Sequence, residues 1–166
     1  MPTGFQGIQN ELQIRQGVKG SGKTNSIKID TANLDTCFFV DIRDEYDHVP
    51  KVHSFDEFIK MIMQVRMGRL EESKIHKLAF NFRDMDDYIK LFNALNSFQN
   101  TTLVVDEADA LYNYGKFEQP LMNLSLGCRN NKVNLIFSCK RPFLLPIFIR
   151  TQADRIFVFS LLLILI

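Results

Sequence analysis

Gly17-Val18-Lys19-Gly20-Ser21-Gly22-Lys23-Thr24 completes the pattern G-x-x-x-x-G-K-[ST], and every specified position in it has a physical task. Glycines let the backbone curl so that successive N–H groups point inward at a phosphate. Lys23 reaches the β- and γ-phosphates, and the Thr24 hydroxyl is a ligand for Mg²⁺. The pattern carries meaning only between a strand and a helix. Leu12 to Gln16 alternates apolar and polar, as a short strand does, and Thr24 to Ile29 continues as a helix whose first amides face the anion. Gly17 to Thr24, with Asn25 beside it, is therefore the candidate nucleotide-binding segment, and ATP with Mg²⁺ its expected occupant. A Gly/Ser/Lys surface turn without a ligand is the plainer alternative.

Outward from this loop, strand-like runs alternate with helical patterns. Cys37 to Ile42 reads as a second strand followed by an acidic turn, Arg43 to Asp47, for which a solvated loop is the favoured reading. Ser54 caps a helix carrying Phe55, Phe58, Ile59, Ile62 and Val65 at helical spacing, with Glu57 three residues after the cap. Met61, Met63 and Met67 in that region read as core filler. Lys77 to Phe82 is a strand, Asp86 to Asn96 a helix, Thr101 to Asp106 a buried parallel strand, and Gln119 to Arg129 a helix. Val133 to Ser138 is a strand, a short helix spans about 144–150, and Arg155 begins the last strand. Strands separated by helices of about ten residues indicate βαβ units. The expected fold is α/β and three-layered, a P-loop NTPase with a mostly parallel sheet of the additional-strand, catalytic-glutamate type, in one domain over residues 1–166.

Leu103-Val104-Val105-Asp106-Glu107 supplies the partner that a phosphate loop requires, a carboxylate at the carboxyl end of a buried strand, where ligands of open α/β sheets bind. Asp106 is placed to hold Mg²⁺ and Glu107 to orient and deprotonate the attacking water; alone, the pair would read as a helix cap or solvated turn. Hydrolysis also calls for positive charge on the γ-phosphoryl oxygens. Arg129 leads as an arginine reaching across a subunit boundary, with Arg141, Arg150 and Arg155 as competitors.

The 166 residues are 46% hydrophobic and 23% charged, with a net charge of +1. This suits a globular core and is uninformative about nucleic acid, because basic residues can be concentrated on one surface. Cys37, Cys128 and Cys139 are odd in number and lack C-x-x-C spacing, so reduced thiols are expected rather than a disulfide framework or a zinc site. Met1 to Gln6 lacks the features of a signal peptide, and a cytoplasmic location is expected. Ile156 to Ile166 is too short to cross a bilayer as a helix. A buried final strand is the preferred reading, against a shortened domain or the start of a membrane segment.

The phosphate loop, Val104-Val-Asp106-Glu107-Ala-Asp109-Ala-Leu111, Gly127-Cys-Arg129-Asn-Asn-Lys-Val133, Ser138-Cys-Lys140-Arg141-Pro142 and Leu145 to Asp154 follow one another as in FtsK/HerA-type ATPases. This resemblance covers about residues 12–160. The chain is similar in particular to compact viral DNA-packaging ATPases and to zonula-occludens-toxin-like phage assembly ATPases. The resemblance implies an ATP-driven motor, usually a hexameric ring, that pumps double-stranded DNA through a pore, in the host cytoplasm if viral. It implies a γ-phosphate-sensing role at Lys140, where family members carry a glutamine; a lysine contacts phosphate as a point charge instead. Asn113 to Lys116 and the Asn130-Asn131-Lys132 turn are candidate pore loops. A membrane-associated phage export ATPase acting on protein and a nucleotide switch with little turnover are the alternatives, and contact of the apolar end with a membrane is not favoured.

Overall fold

The computed structural model describes residues 10–112 and 118–160. Met1 to Gln6, the candidate pore segment Asn113 to Lys116 and the terminal run Leu161 to Ile166 lie outside the described residues.

Seven strands form one sheet in which every pairing is parallel. In chain order they are β1 (Leu12–Gly17), β2 (Cys37–Val40), β3 (Lys51–Val52), β4 (Lys77–Phe80), β5 (Thr102–Val105), β6 (Asn134–Cys139) and β7 (Arg155–Phe159), and across the sheet they run β3-β4-β2-β5-β6-β1-β7. The additional strand is β6, which stands between β1 and β5. Helices α1 (Lys23–Thr31), α2 (Phe55–Arg66), α3 (Met85–Leu95), α4 (Ala108–Tyr112), α5 (Glu118–Gly127) and α6 (Ile147–Gln152) make the crossovers. Ser54 caps α2 as the sequence predicts, its Oγ accepting from Glu57 N at 3.2 Å. Helix α6 starts later than the predicted 144, because Pro146 occupies its N-cap position and favours an extended residue before the ring.

Alternation along the strands divides the core into two unequal parts. One face carries Leu12, Ile14, Phe38, Val40, Leu78, Phe80, Leu103, Val105, Leu135 and Phe137 against apolar residues of α2, α3, α5 and α6. Its aromatic centre is Phe38, Phe58, Phe80 and Phe98, with ring centroids 5.1–6.4 Å apart. The other face packs a smaller apolar set, Phe39, Val104 and Ile136, against Ile27 of α1 and Tyr46. That face is also polar: Gln13, Arg15, Thr102, Asn134 and Ser138 are all buried there. Arg15 bridges from β1 to α1, donating to Asp30 Oδ2 at 2.6 Å and Ser26 Oγ at 2.9 Å while its guanidinium lies over the Phe157 ring.

Three expectations are corrected. Met61 packs on the core, but Met63 and Met67 are more than half exposed, because they fall on the outer side of α2. The last strand is an edge rather than a buried strand, with Ile156 and Val158 exposed, since among the described residues β7 pairs with β1 alone. Strand β3, two residues long, escapes the sequence because it has no periodicity to show. The three cysteines are free and buried, as expected. No helix among the described residues is long and apolar enough to cross a membrane.

The Arg15–Asp30 pair yields a stability test. Arg15 is 1% exposed, so Asp30→Ala leaves a buried cation without its counterion and is expected to cost about 3 kcal/mol in denaturant unfolding. The double variant Arg15→Met/Asp30→Leu removes both charges and is expected to recover most of that loss.

Candidate functional site

The segment after β1 closes on itself through Ser21 N donating to Val18 O at 3.2 Å, and Gly22 caps α1. Gly20 and Gly22 have φ of 79° and 93°, left-handed values that turn successive amides inward and that side chains disfavour. Gly17 is required for a different reason: a Cβ there would lie 2.5 Å from Phe159 O and 2.7 Å from Ser21 Oγ. Helix α1 has no acidic residue in its first turn, so the positive end of its dipole is not neutralised from within. Lys23 is buried, and its ammonium donates to Gly17 O at 2.6 Å and Val18 O at 3.1 Å, which holds it inside the curl.

This loop forms one wall of a cavity of about 340 Å³ lined by Lys19 to Asn25, Arg43, Glu45, Asp106 and Glu107. Of the predicted binding segment, Lys19, Gly20, Ser21, Gly22, Lys23, Thr24 and Asn25 line it; Gly17 and Val18 stand behind it as acceptors for Lys23.

Asp106 and Glu107 end β5 on the same edge of the sheet. Asp106 is buried and accepts from Glu107 N at 3.0 Å and from the Ser138 hydroxyl of β6. Burial pushes its carboxyl above the usual range; the hydrogen bonds oppose this, and the nearby charges of Glu45 and Glu107 add to the rise. Glu107 is left-handed at φ 51°, a conformation that costs a non-glycine residue on the order of 1 kcal/mol. Its carboxylate meets Lys140 Nζ at 3.0 Å and Arg43 at 3.3 Å. Lys140 thus sits against Glu107, at the carboxyl end of the inserted strand β6, and its backbone N–H lies 3.4 Å from Asp109 Oδ2.

The acidic turn after β2 is solvated at Arg43, Asp44 and Asp47, but it is anchored from within. Asp41 is completely buried and its carboxylate accepts from Glu45 N at 2.8 Å and Tyr46 N at 3.0 Å. Its own carbonyl accepts from Asn81 Nδ2. The turn so fixed aims two residues at the cavity that sequence reasoning missed as site residues. Glu45 Oε2 accepts from Thr24 Oγ1 at 2.8 Å, and Arg43 reaches Glu107. The available signal was Asp41 itself, four residues before Glu45, at the spacing of a carboxylate that collects turn amides. Tyr46 is buried beneath, its phenol pushed well above its ordinary range by burial and then by Asp106.

The arginines predicted as a finger lie elsewhere. Arg129 precedes β6, at the amino-terminal edge of the sheet and opposite the loop of its own subunit. It is exposed and ion-paired with Asp154 at 2.8 Å. Arg150 donates to Leu145 O and Arg155 pairs with Glu11. Arg141 follows β6 directly and is exposed.

The donors suit a nucleotide with a hard cation. Ser21 Oγ is buried without a hydrogen-bond partner among the described residues, an unmet polar group inside the phosphate loop. Thr24, Asp106 and Glu45 present oxygen only. Among the described residues no three His, Cys, Asp or Glu side chains converge on one metal position.

No family model matches the chain, and no curated protein is similar to it at a significant level. Solved structures are. The genome packaging NTPase B204 from Sulfolobus turreted icosahedral virus 2, in complex with ATP-γS, superposes with a TM-score of 0.67 at 20% identity, over 90% of this chain and 75% of that one. The N-terminal domain of zonular occludens toxin from Neisseria meningitidis gives 0.54 at 16% identity, over 89% and 75%. The cytoplasmic domain of EssC gives 0.57 at 12% identity, over 94% of this chain and 32% of that one. Together with the parallel sheet and the inserted β6, these similarities show that the chain shares the α/β fold of those proteins.

Proposed function

We propose that this chain is an ATP-hydrolysing motor that translocates double-stranded DNA, as in viral genome packaging, and that it works as a ring, usually hexameric in proteins of this kind. The observation that carries the reading is the convergence of Lys23, Thr24, Asp106 and Glu107 on one cavity, on a fold shared with a packaging NTPase solved with ATP analogues. The loop amides and Lys23 bind the β- and γ-phosphates. Thr24 and, through water, Asp106 would hold Mg²⁺, which neutralises charge on the phosphate oxygens. Glu107 orients the attacking water and takes its proton, which distinguishes a hydrolase from a switch with little turnover. Lys140 acts at the γ-phosphate side of Glu107, and Arg129 serves a neighbouring subunit. The zonular occludens toxin likeness supports the export ATPase as a second reading; it shares this chemistry and differs in cargo.

DNA-stimulated hydrolysis in the assembled protein tests the function. Glu107→Gln is expected to bind ATP and lower kcat by about 10²- to 10⁴-fold, while Lys23→Ala loses nucleotide binding. Hydrolysis indifferent to duplex DNA in an intact ring would favour a protein cargo.

Asp106 generates a pH prediction. Because its carboxyl is raised in the folded chain, its contribution to stability is full below the ordinary aspartate range and is lost as pH climbs through the raised value. At pH 7 without nucleotide, Asp106→Asn is expected to melt above wild type. This advantage vanishes below about pH 4, near the unperturbed aspartate value, as differential scanning calorimetry across pH would show; hydrolysis is lost in the same variant.

A further inference from the structure

We propose that Arg43 reads the terminal phosphate of the nucleotide in its own subunit, and that in doing so it exchanges the Glu107 carboxylate for that phosphate. The proposal rests on the nucleotide reading above and adds to it a specificity residue.

Three observations carry it. Apart from Lys19 and Lys23, which belong to the phosphate loop, Arg43 is the one cation among the described residues that line the cavity. Its backbone is anchored: Asp41 gathers the amides of Glu45 and Tyr46, Asn81 holds the Asp41 carbonyl, and Glu45 ties the turn to Thr24 at the start of α1. A guanidinium mounted on such a turn has a defined reach with little entropy left to lose. Its present partner is the third observation. Glu107 is held by Arg43 at 3.3 Å and by Lys140 at 3.0 Å, with only 13% of its side chain exposed.

A γ-phosphate offers Arg43 more negative charge than a carboxylate and the fork geometry that guanidinium matches with two parallel hydrogen bonds. ATP in the cavity therefore competes Arg43 away from Glu107 and leaves that carboxylate with Lys140 alone. ADP lacks the γ-phosphate and leaves the Arg43–Glu107 pair in place.

Equilibrium titration of the full 166-residue chain with ATPγS and with ADP tests this without turnover. Arg43→Gln is expected to weaken ATPγS binding by about 10- to 100-fold, the range of a bidentate charge-assisted contact, and ADP binding by less than about twofold. Arg43→Lys, keeping charge without the fork, falls between, and the partly exposed Arg43 side chain makes a folding defect in both variants an unsuitable explanation if their melting curves match wild type. Glu107→Gln should tighten ATPγS binding several-fold, and that gain should disappear when Arg43→Gln is added, as a coupled pair requires. Equal losses for ATPγS and ADP, or no loss for either, would overturn phosphate reading by Arg43. A Glu107→Gln gain that persists without Arg43 would overturn the exchange. If wild type binds neither nucleotide, the ATPase reading fails and this proposal with it.

Discussion

Two strand spacings, each about 4.8 Å, set the distance between the phosphate loop at the end of β1 and the carboxylates at the end of β5, because β6 is inserted between them. Everything chemical in the molecule depends on that interval. A direct β1–β5 neighbour relationship would put Asp106 and Glu107 against the loop. The intervening strand instead opens a cavity between an amide-lined wall and an acidic one, and contributes Ser138 to Asp106 and Lys140 to Glu107. All-parallel pairing makes this possible, since it brings every loop that follows a strand to one edge.

The same interval explains why the α1 face is so polar. A parallel sheet covered on both sides ordinarily buries near-continuous apolar runs. Here β1 and β6 place Gln13, Arg15, Asn134 and Ser138 inward on that side, and Arg15 fastens α1 by hydrogen bonds beside the apolar packing of Ile27. The arrangement fixes α1 directionally. Its first turn carries Lys23 and Thr24, so an orientation set by Arg15, Asp30 and Ser26 is also an orientation of the phosphate loop.

Charge in the cavity is balanced rather than uniform. Asp106, Glu107 and Glu45 face Lys23, Lys19 and Arg43, with Lys140 adjoining from β6. Asp106, with its ionised form disfavoured by burial, and Glu107, held in a left-handed backbone between two cations, both store free energy that bound cation and phosphate can release. Such strain is characteristic of places where a structure is organised for a ligand rather than for its own stability.

The loop, the acid strand and the alternation of strands with helices were legible before any coordinates, because each rests on short-range chemistry: glycine's access to positive φ, period-2 and helical spacing, an acid closing an apolar run. The caps at Ser54 and the strand assignments hold for the same reason. What failed was long-range. Whether Met63 faces the core depends on which side of α2 meets the sheet, and whether Ile156 is buried depends on a neighbour beyond β7, so neither is written in local pattern. Arg43 and Glu45 looked like members of a charged turn, since the partners of their side chains, Glu107 and Thr24, lie far along the chain. Thr24 is 21 residues from Glu45 and Glu107 is 64 from Arg43. The sequence by itself determined a glycine-rich loop between a strand and a helix, and an acid closing an apolar strand; only the tertiary structure decided which distant charges share the cavity, because pairing across a sheet is set by strand order, and strand order depends on how the crossovers pack.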